Sequence, residues 1–249
     1  MGQNAGMAPA SDAPPPREVV RYGPEIPDED HLRLLGSMAE KRVLVLGLHS
    51  PSACIALAQQ GAKVVAVDPD QAKIERGRAA TEKAEAKAEF RQADLAGLAF
   101  LPGDSFDLVL SIYTLASSDD LNRVFRQVHR VLKADGALVL SLPHPAFAML
   151  DQAVAPRLPG DPVLVARPYP GMSGPRTLEP EGAAEAAAGE ANRTHAPSEA
   201  FTAMHRAKFR LDALLEPVAV ASGPRGPQWN ELMRWVPPTL ILRARKEGI

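Results

Sequence analysis

"VLVLGLHSPSACIALAQQGAKVVAVDPD" occupies residues 43–70. An uninterrupted apolar run, 43–47, follows Lys41 and Arg42 and ends at Gly47. A run without polar alternation reads as a strand buried on both faces. Residues 51–60 then carry Ala, Cys, Ile and Leu at helical spacing, with Pro51 tolerated in the first turn. A second apolar strand, 63–67, leads into Asp68. Strand, glycine, helix, strand and acidic residue together have the outline of a nucleotide-cofactor cradle. Where such a cradle carries further glycines, this one has His49 and Pro51.

The pattern continues outward from this stretch. "PDQAKIERGRAATEKAEAK" is a polar surface helix, "AEFRQAD" (88–94) a third strand and "FDLVLSIY" (106–113) a fourth. Between 119 and 132, Leu121, Val124, Phe125, Val128, Val131 and Leu132 share one helical face. Ser117 or Ser118 can cap that helix, and Asp119 and Asp120 suit its positive end. "ADGALVLSL" (134–142) turns through Asp135-Gly136 into a fifth strand. Strand and helix thus alternate from 43 to 142, which predicts a parallel sheet with helices on both faces. Residues 152–197 break the pattern, being rich in proline, glycine and alanine, and are expected to form a flexible lid or insert. A helix ("PSEAFTAMHRA") and two strands ("KFRLDALLE", "PPTLILRARK") follow.

Composition narrows the possibilities. The 249 residues suffice for one α/β domain, 19–246, behind an expected disordered leader, 1–18. A net charge of −2 gives no basis for a nucleic-acid or membrane surface. No apolar run reaches the roughly 18 residues of a membrane span, and no signal core precedes the domain, so a cytoplasmic location is expected. The single cysteine, Cys54, excludes an internal disulfide framework and a cysteine-cluster metal site, and no metal is expected. Its place among alanines and leucines reads as a small buried residue.

Together these residues resemble the class I S-adenosylmethionine-dependent methyltransferases, in the type 11 small-molecule group. The resemblance runs from about Val19 to Lys246. Gly47 ends the first strand, Asp68 the second, Asp94 of "QADL" the third, and "SFDLVLS" is the fourth. "LNRVFRQVHRVLKADGALVLSLPHP" (121–145) carries it most distinctly, because helix, turn and strand agree at once. The tail from Arg210 to Gly248 is similar to actinobacterial members. The resemblance implies a Rossmann-like α/β fold with a seven-stranded, mostly parallel sheet, helices on both faces and a lid insert. It implies S-adenosyl-L-methionine as cofactor and a small-molecule acceptor, and leaves the oligomeric state open.

It also assigns roles. Gly47, Leu48 and His49 form the cofactor loop, with the N-terminus of helix 51–60 pointed at it. Asp68, about twenty residues beyond Gly47, takes the ribose hydroxyls, with Pro69 beside it. Asp94 takes the adenine amino group and the Leu95 N–H meets the ring. Ser111 closes the fourth strand beneath the methionine part. On the acceptor side, His144 in "LPHPA" and His195 are candidate bases, and Tyr22 and Tyr113 are candidate lining residues.

Three departures from the family pattern stand out. Val45 replaces the acidic residue expected near the cofactor's cationic amino end. His49 and Pro51 replace two loop glycines. "TLASSDD" lacks the histidine or aromatic pair expected after the fourth strand. Two functions follow from this. One is methyl transfer, an in-line displacement that depends mainly on positioning. The other is a non-catalytic methyltransferase-like binding or partner module that has lost normal cofactor binding.

Overall fold

Strand β1, Arg42–Leu46, runs through the middle of the sheet, and Val43 to Leu46 are all buried. It pairs in parallel with β2, Lys63–Asp68, on one side and with β4, Phe106–Ile112, on the other. Strand β3, Ala88–Gln92, extends the sheet beyond β2, and β5, Leu132–Pro143, lies beyond β4. Two antiparallel strands, β6 (Phe209–Leu215) and β7 (Thr239–Lys246), complete the order β3-β2-β1-β4-β5-β7-β6. The fold is therefore the Rossmann-like, seven-stranded, mostly parallel sheet that the resemblance implies, with the parallel part where the alternation from 43 to 142 predicts it. This computed structural model describes residues 17–152, 161–166, 168–170, 194–220 and 226–247.

The alternation of side chains along β1 divides the core in two. Leu44 and Leu46 face a cluster with Phe125, Val128 and Met204, from helices α4 (Leu121–Val131) and α6 (Pro197–Arg206). Val43 and Val45 face a second cluster with Val20, Tyr22, Cys54, Leu57 and Ile74. Cys54 belongs to α2 (Ser52–Gln59) and Ile74 to α3 (Gln71–Lys83). Cys54 is fully buried, as its neighbours imply, and burial pushes its thiol up to about 12. The N-terminal segment is pinned by the short helix α1, Glu29–Leu32. There the Glu29 carboxylate accepts the Tyr22 hydroxyl at 2.5 Å and the N–H groups of Leu34 and Leu35 at 2.9 and 2.8 Å.

Several local expectations are corrected. Neither Ser117 nor Ser118 caps α4: Ser117 lies in a short 3-10 turn, Thr114–Ser117, and Asp120 takes the cap, accepting the Arg123 N–H at 2.9 Å. A carboxylate at that position satisfies a free helix donor and meets the positive end of the helix dipole. The Asp135-Gly136 turn does not precede the fifth strand but bulges within it. Leu132 pairs with Phe106 and Ala137 with Leu108, leaving the residues between them unmatched. The third strand stops at Gln92, which leaves Asp94 in an exposed loop.

The expected leader lies outside the described residues apart from Arg17 and Glu18. Of the expected lid, the described part includes a short return. Leu150 and Val165 form an antiparallel bridge, with the Asp151 N–H donating to Leu164 O at 2.8 Å. No helix among the described residues is long and apolar enough to cross a membrane.

Candidate functional site

The carboxyl ends of β1 and β4 open into a cavity of about 870 Å³. Ligands of open α/β sheets bind beyond the carboxyl ends of the strands, where the chain connections part to either side. A larger depression, about 1080 Å³, is lined by Arg42, Lys63 and Ala88, the residues that begin β1, β2 and β3. It therefore lies at the opposite, amino end of the sheet. Its remaining walls include Arg78, Glu82, Glu85 and Lys87, charges facing water. The cavity at the carboxyl ends is the candidate site.

Gly47 forms its floor. It has φ +85°, and a Cβ there would land on the side chain of Thr114. Only glycine meets both demands. The following residue is fixed from β2: the Leu48 N–H donates to Asp68 Oδ2 at 2.6 Å. Asp68 is fully buried, and its Oδ1 accepts the Asp70 N–H at 2.8 Å. The carboxylate thus ties the β1 loop to the start of α3. Beyond the loop, Ser52 and Ala53 from the first turn of α2 line the wall. The Ser52 N–H is within 3.3 Å of Ser50 Oγ.

His49 and Tyr113 line the cavity side by side, with ring centroids 5.3 Å apart and planes inclined at 52°. Burial first, and then the charge of Lys73, hold the His49 imidazole below its ordinary value, so it is neutral at neutral pH. Tyr113 adopts the left-handed conformation, φ 59°, at the end of β4. A bulky residue there is a genuine outlier, the kind of strain that gathers at ligand sites. Its hydroxyl lies 2.6 Å from Thr239 Oγ1, and burial pushes the phenol up to about 12. The pair presents a neutral imidazole and a neutral phenol to the cavity.

The structure gathers some of the expected site residues here and leaves others elsewhere. Gly47, His49 and Tyr113 line the cavity, and Leu48 and Asp68 support its floor. Ser111 is buried, donating to Leu46 O at 2.7 Å, and so joins β4 to β1 beneath the site. Asp94 accepts the Ala96 N–H at 2.7 Å in the loop after β3, with Leu95 packed against the core; neither they nor Pro69 line the cavity. His144 caps the short helix α5, Pro145–Ala148: Nδ1 accepts the Ala146 N–H at 3.1 Å, so Nε2 carries the proton and donates to Glu216 Oε1 at 2.8 Å. His195 pairs through Nδ1 with Glu199 at 3.0 Å, and its buried Nε2 has no partner among the described residues. Neither histidine lines the cavity. Tyr22 is fully buried against Glu29.

Sequence reasoning missed Glu18, Arg21 and Lys73, which all line the cavity. Val20 and Tyr22 point into the core, but that two-residue period places Glu18 and Arg21 on opposite faces of the segment and so does not single them out. Among the described residues, no group of three His, Cys, Asp or Glu side chains could hold a metal ion.

Residues 44–140 match the family described as a methyltransferase domain. The Ajmaline N-methyltransferase of Rauvolfia serpentina is 35% identical over 82 residues, 33% of this chain and 28% of that protein. The Uncharacterized methyltransferase YcgJ of Bacillus subtilis (strain 168) is 32% identical over 103 residues, 41% of this chain and 40% of that one. The chain spans less than half the length of the curated relatives it matches. A solved S-adenosylmethionine dependent methyltransferase from Mesorhizobium loti shares the fold with a TM-score of 0.62. It is 24% identical, and the match covers 86% of this chain and 94% of that one.

Proposed function

We propose that the chain, whose residues 44–140 match the family described as a methyltransferase domain, transfers a methyl group to a small-molecule acceptor in the cavity above Gly47. The cofactor of that family is S-adenosyl-L-methionine. When bound, it supplies an electrophilic methyl group on a sulfonium. The residues present fit such a group. The cavity, about 870 Å³, has the volume of sites that enclose a small ligand. Gly47 keeps its floor free of side chain, and the first turn of α2 faces it.

The observation that carries the proposal is the clasp from Asp68 to the Leu48 N–H. It fixes the loop at the one point where backbone must approach a ligand. The buried carboxylate uses one lone pair of each oxygen on backbone donors, leaving the others for hydroxyl groups that reach it. Gly47, Leu48 and His49 then hold the cofactor, with Asp68 and Pro69 toward its ribose, Asp94 and Leu95 toward its adenine and Ser111 behind the strand end. His49 and Tyr113 bear on the acceptor. A neutral imidazole can accept a proton from an acceptor hydroxyl or amine, and the aromatic wall excludes water. His144 and His195, held by Glu216 and Glu199, position the strand end and the return of the insert.

Calorimetric titration with S-adenosylhomocysteine tests the reading, using native protein and Ser52→Trp. One-to-one binding that Ser52→Trp abolishes supports it. Equal binding by both proteins would move the ligand away from this cavity.

A further inference from the structure

Glu18 and Arg21 stand three residues apart on the N-terminal segment and line the same cavity as Gly47 and Val45. Among the described residues, neither side chain has a hydrogen-bond or ion-pair partner, although the Glu18 backbone N–H donates to Gln59 Oε1 at 3.0 Å. The backbone that carries them is held firmly. Val20 and Tyr22 are fully buried on either side of Arg21, and Val20 O accepts the Glu29 N–H at 2.9 Å. This irregular but anchored segment brings one carboxylate-bearing and one guanidinium-bearing residue to the same cavity wall. Two unpaired opposite charges in one cavity wall match a ligand that carries both signs. The floor supplies no such charge of its own, because Val45 is apolar and 2% exposed.

We infer that Glu18 and Arg21 bind the zwitterionic amino-acid end of the cofactor, Glu18 its ammonium and Arg21 its carboxylate. The inference rests on the cofactor reading above. It places the carboxylate that β1 lacks at Val45 on a different part of the chain. Arg21 offers a planar, two-pronged donor suited to a carboxylate, which a lysine would not. Lys73, the other cation of the wall, lies beside His49 on the α3 side of the loop.

The test compares two probes that differ only in this end. S-adenosylhomocysteine carries the zwitterion, and 5′-methylthioadenosine lacks it. Each is titrated calorimetrically into native protein, Glu18→Gln and Arg21→Met, and thermal melting checks that the variants fold. The expected result is a loss of about tenfold or more in S-adenosylhomocysteine affinity for each variant, with 5′-methylthioadenosine affinity unchanged. Unchanged S-adenosylhomocysteine binding would overturn the inference and leave the cofactor reading standing. Equal losses for both probes would also overturn it, because the substitutions would then act on the whole cavity. If native protein binds neither probe, the cofactor reading fails and the inference with it.

Discussion

The Asp68 carboxylate accepts the N–H of Leu48, 20 residues away, at 2.6 Å, and together with the Gly47 N–H to Val67 O bond at 2.7 Å it holds the β1 loop against the end of β2. Both residues are buried. The loop's shape thus depends in part on a side chain from another strand, in a chain whose loop has only one of the expected glycines.

Replacing Asp68 with alanine leaves the Leu48 N–H buried and unpaired and frees the Asp70 N–H. Hydrogen bonds to charged groups contribute about 1.5–3 kcal/mol each. The variant should lose ~2 kcal/mol or more in urea unfolding and should bind S-adenosylhomocysteine at least about a hundredfold more weakly. Native-like affinity would separate the carboxylate from the ligand site.

Gly47→Ala meets two penalties at one position, the positive φ and the Thr114 side chain. Strain of this kind, with overpacking, costs about 2–4 kcal/mol. Thr114→Ala should not rescue it, since the Thr114 Cβ itself stands in the way. Urea denaturation of the single and double variants measures both effects.

Lys73→Met should raise the His49 pKa toward the ordinary histidine value, though burial, the larger cause, keeps it lower. NMR titration of the His49 ring protons reads the shift. The native pKa lies below the unfolded one, so the unfolded chain takes up the proton first as pH falls. The contribution of neutral His49 is complete above the ordinary histidine value and is lost as pH falls from there through the native value. The charged and titratable groups around His49 in the cavity wall are Glu18, Arg21, Lys73 and Tyr113. Native protein should lose more stability across that window than His49→Asn, and Lys73→Met should narrow the difference.

Val45→Asp restores the carboxylate that the family pattern expects but sets it into an apolar cluster with Val43, Ala53 and Cys54. Burying a polar group without a partner costs about 2–7 kcal/mol. The melting temperature should drop markedly, with no gain in cofactor-product affinity. A stable variant with tighter binding would show that the native site lacks a needed charge.

The fold was legible from 43 to 142 because buried parallel strands are unbroken apolar runs and α4 keeps one apolar face. The α4 cap was not, because Ser117, Ser118, Asp119 and Asp120 all have capping chemistry, and only the 3-10 turn at Thr114–Ser117 selects Asp120. In the site, Gly47, His49 and Asp68 could be read from the order of strand, loop and acid. That Asp68 binds its own loop could not, because spacing gives proximity and not which donor a carboxylate meets. Glu18, Arg21 and Lys73 resemble solvated surface charges until the N-terminal segment and α3 are brought to the cavity. Tyr113 carries no sequence mark of its left-handed backbone.

Amide hydrogen exchange with and without S-adenosylhomocysteine tests most directly whether the cofactor sits above Gly47. Added ligand should slow exchange at residues 47–53 and 113–117, the loop, the first turn of α2 and the turn after β4. Residues 78–90, beside the larger depression at the other end of the sheet, should exchange as before. No change at 47–53, or protection confined to 78–90, would contradict the account.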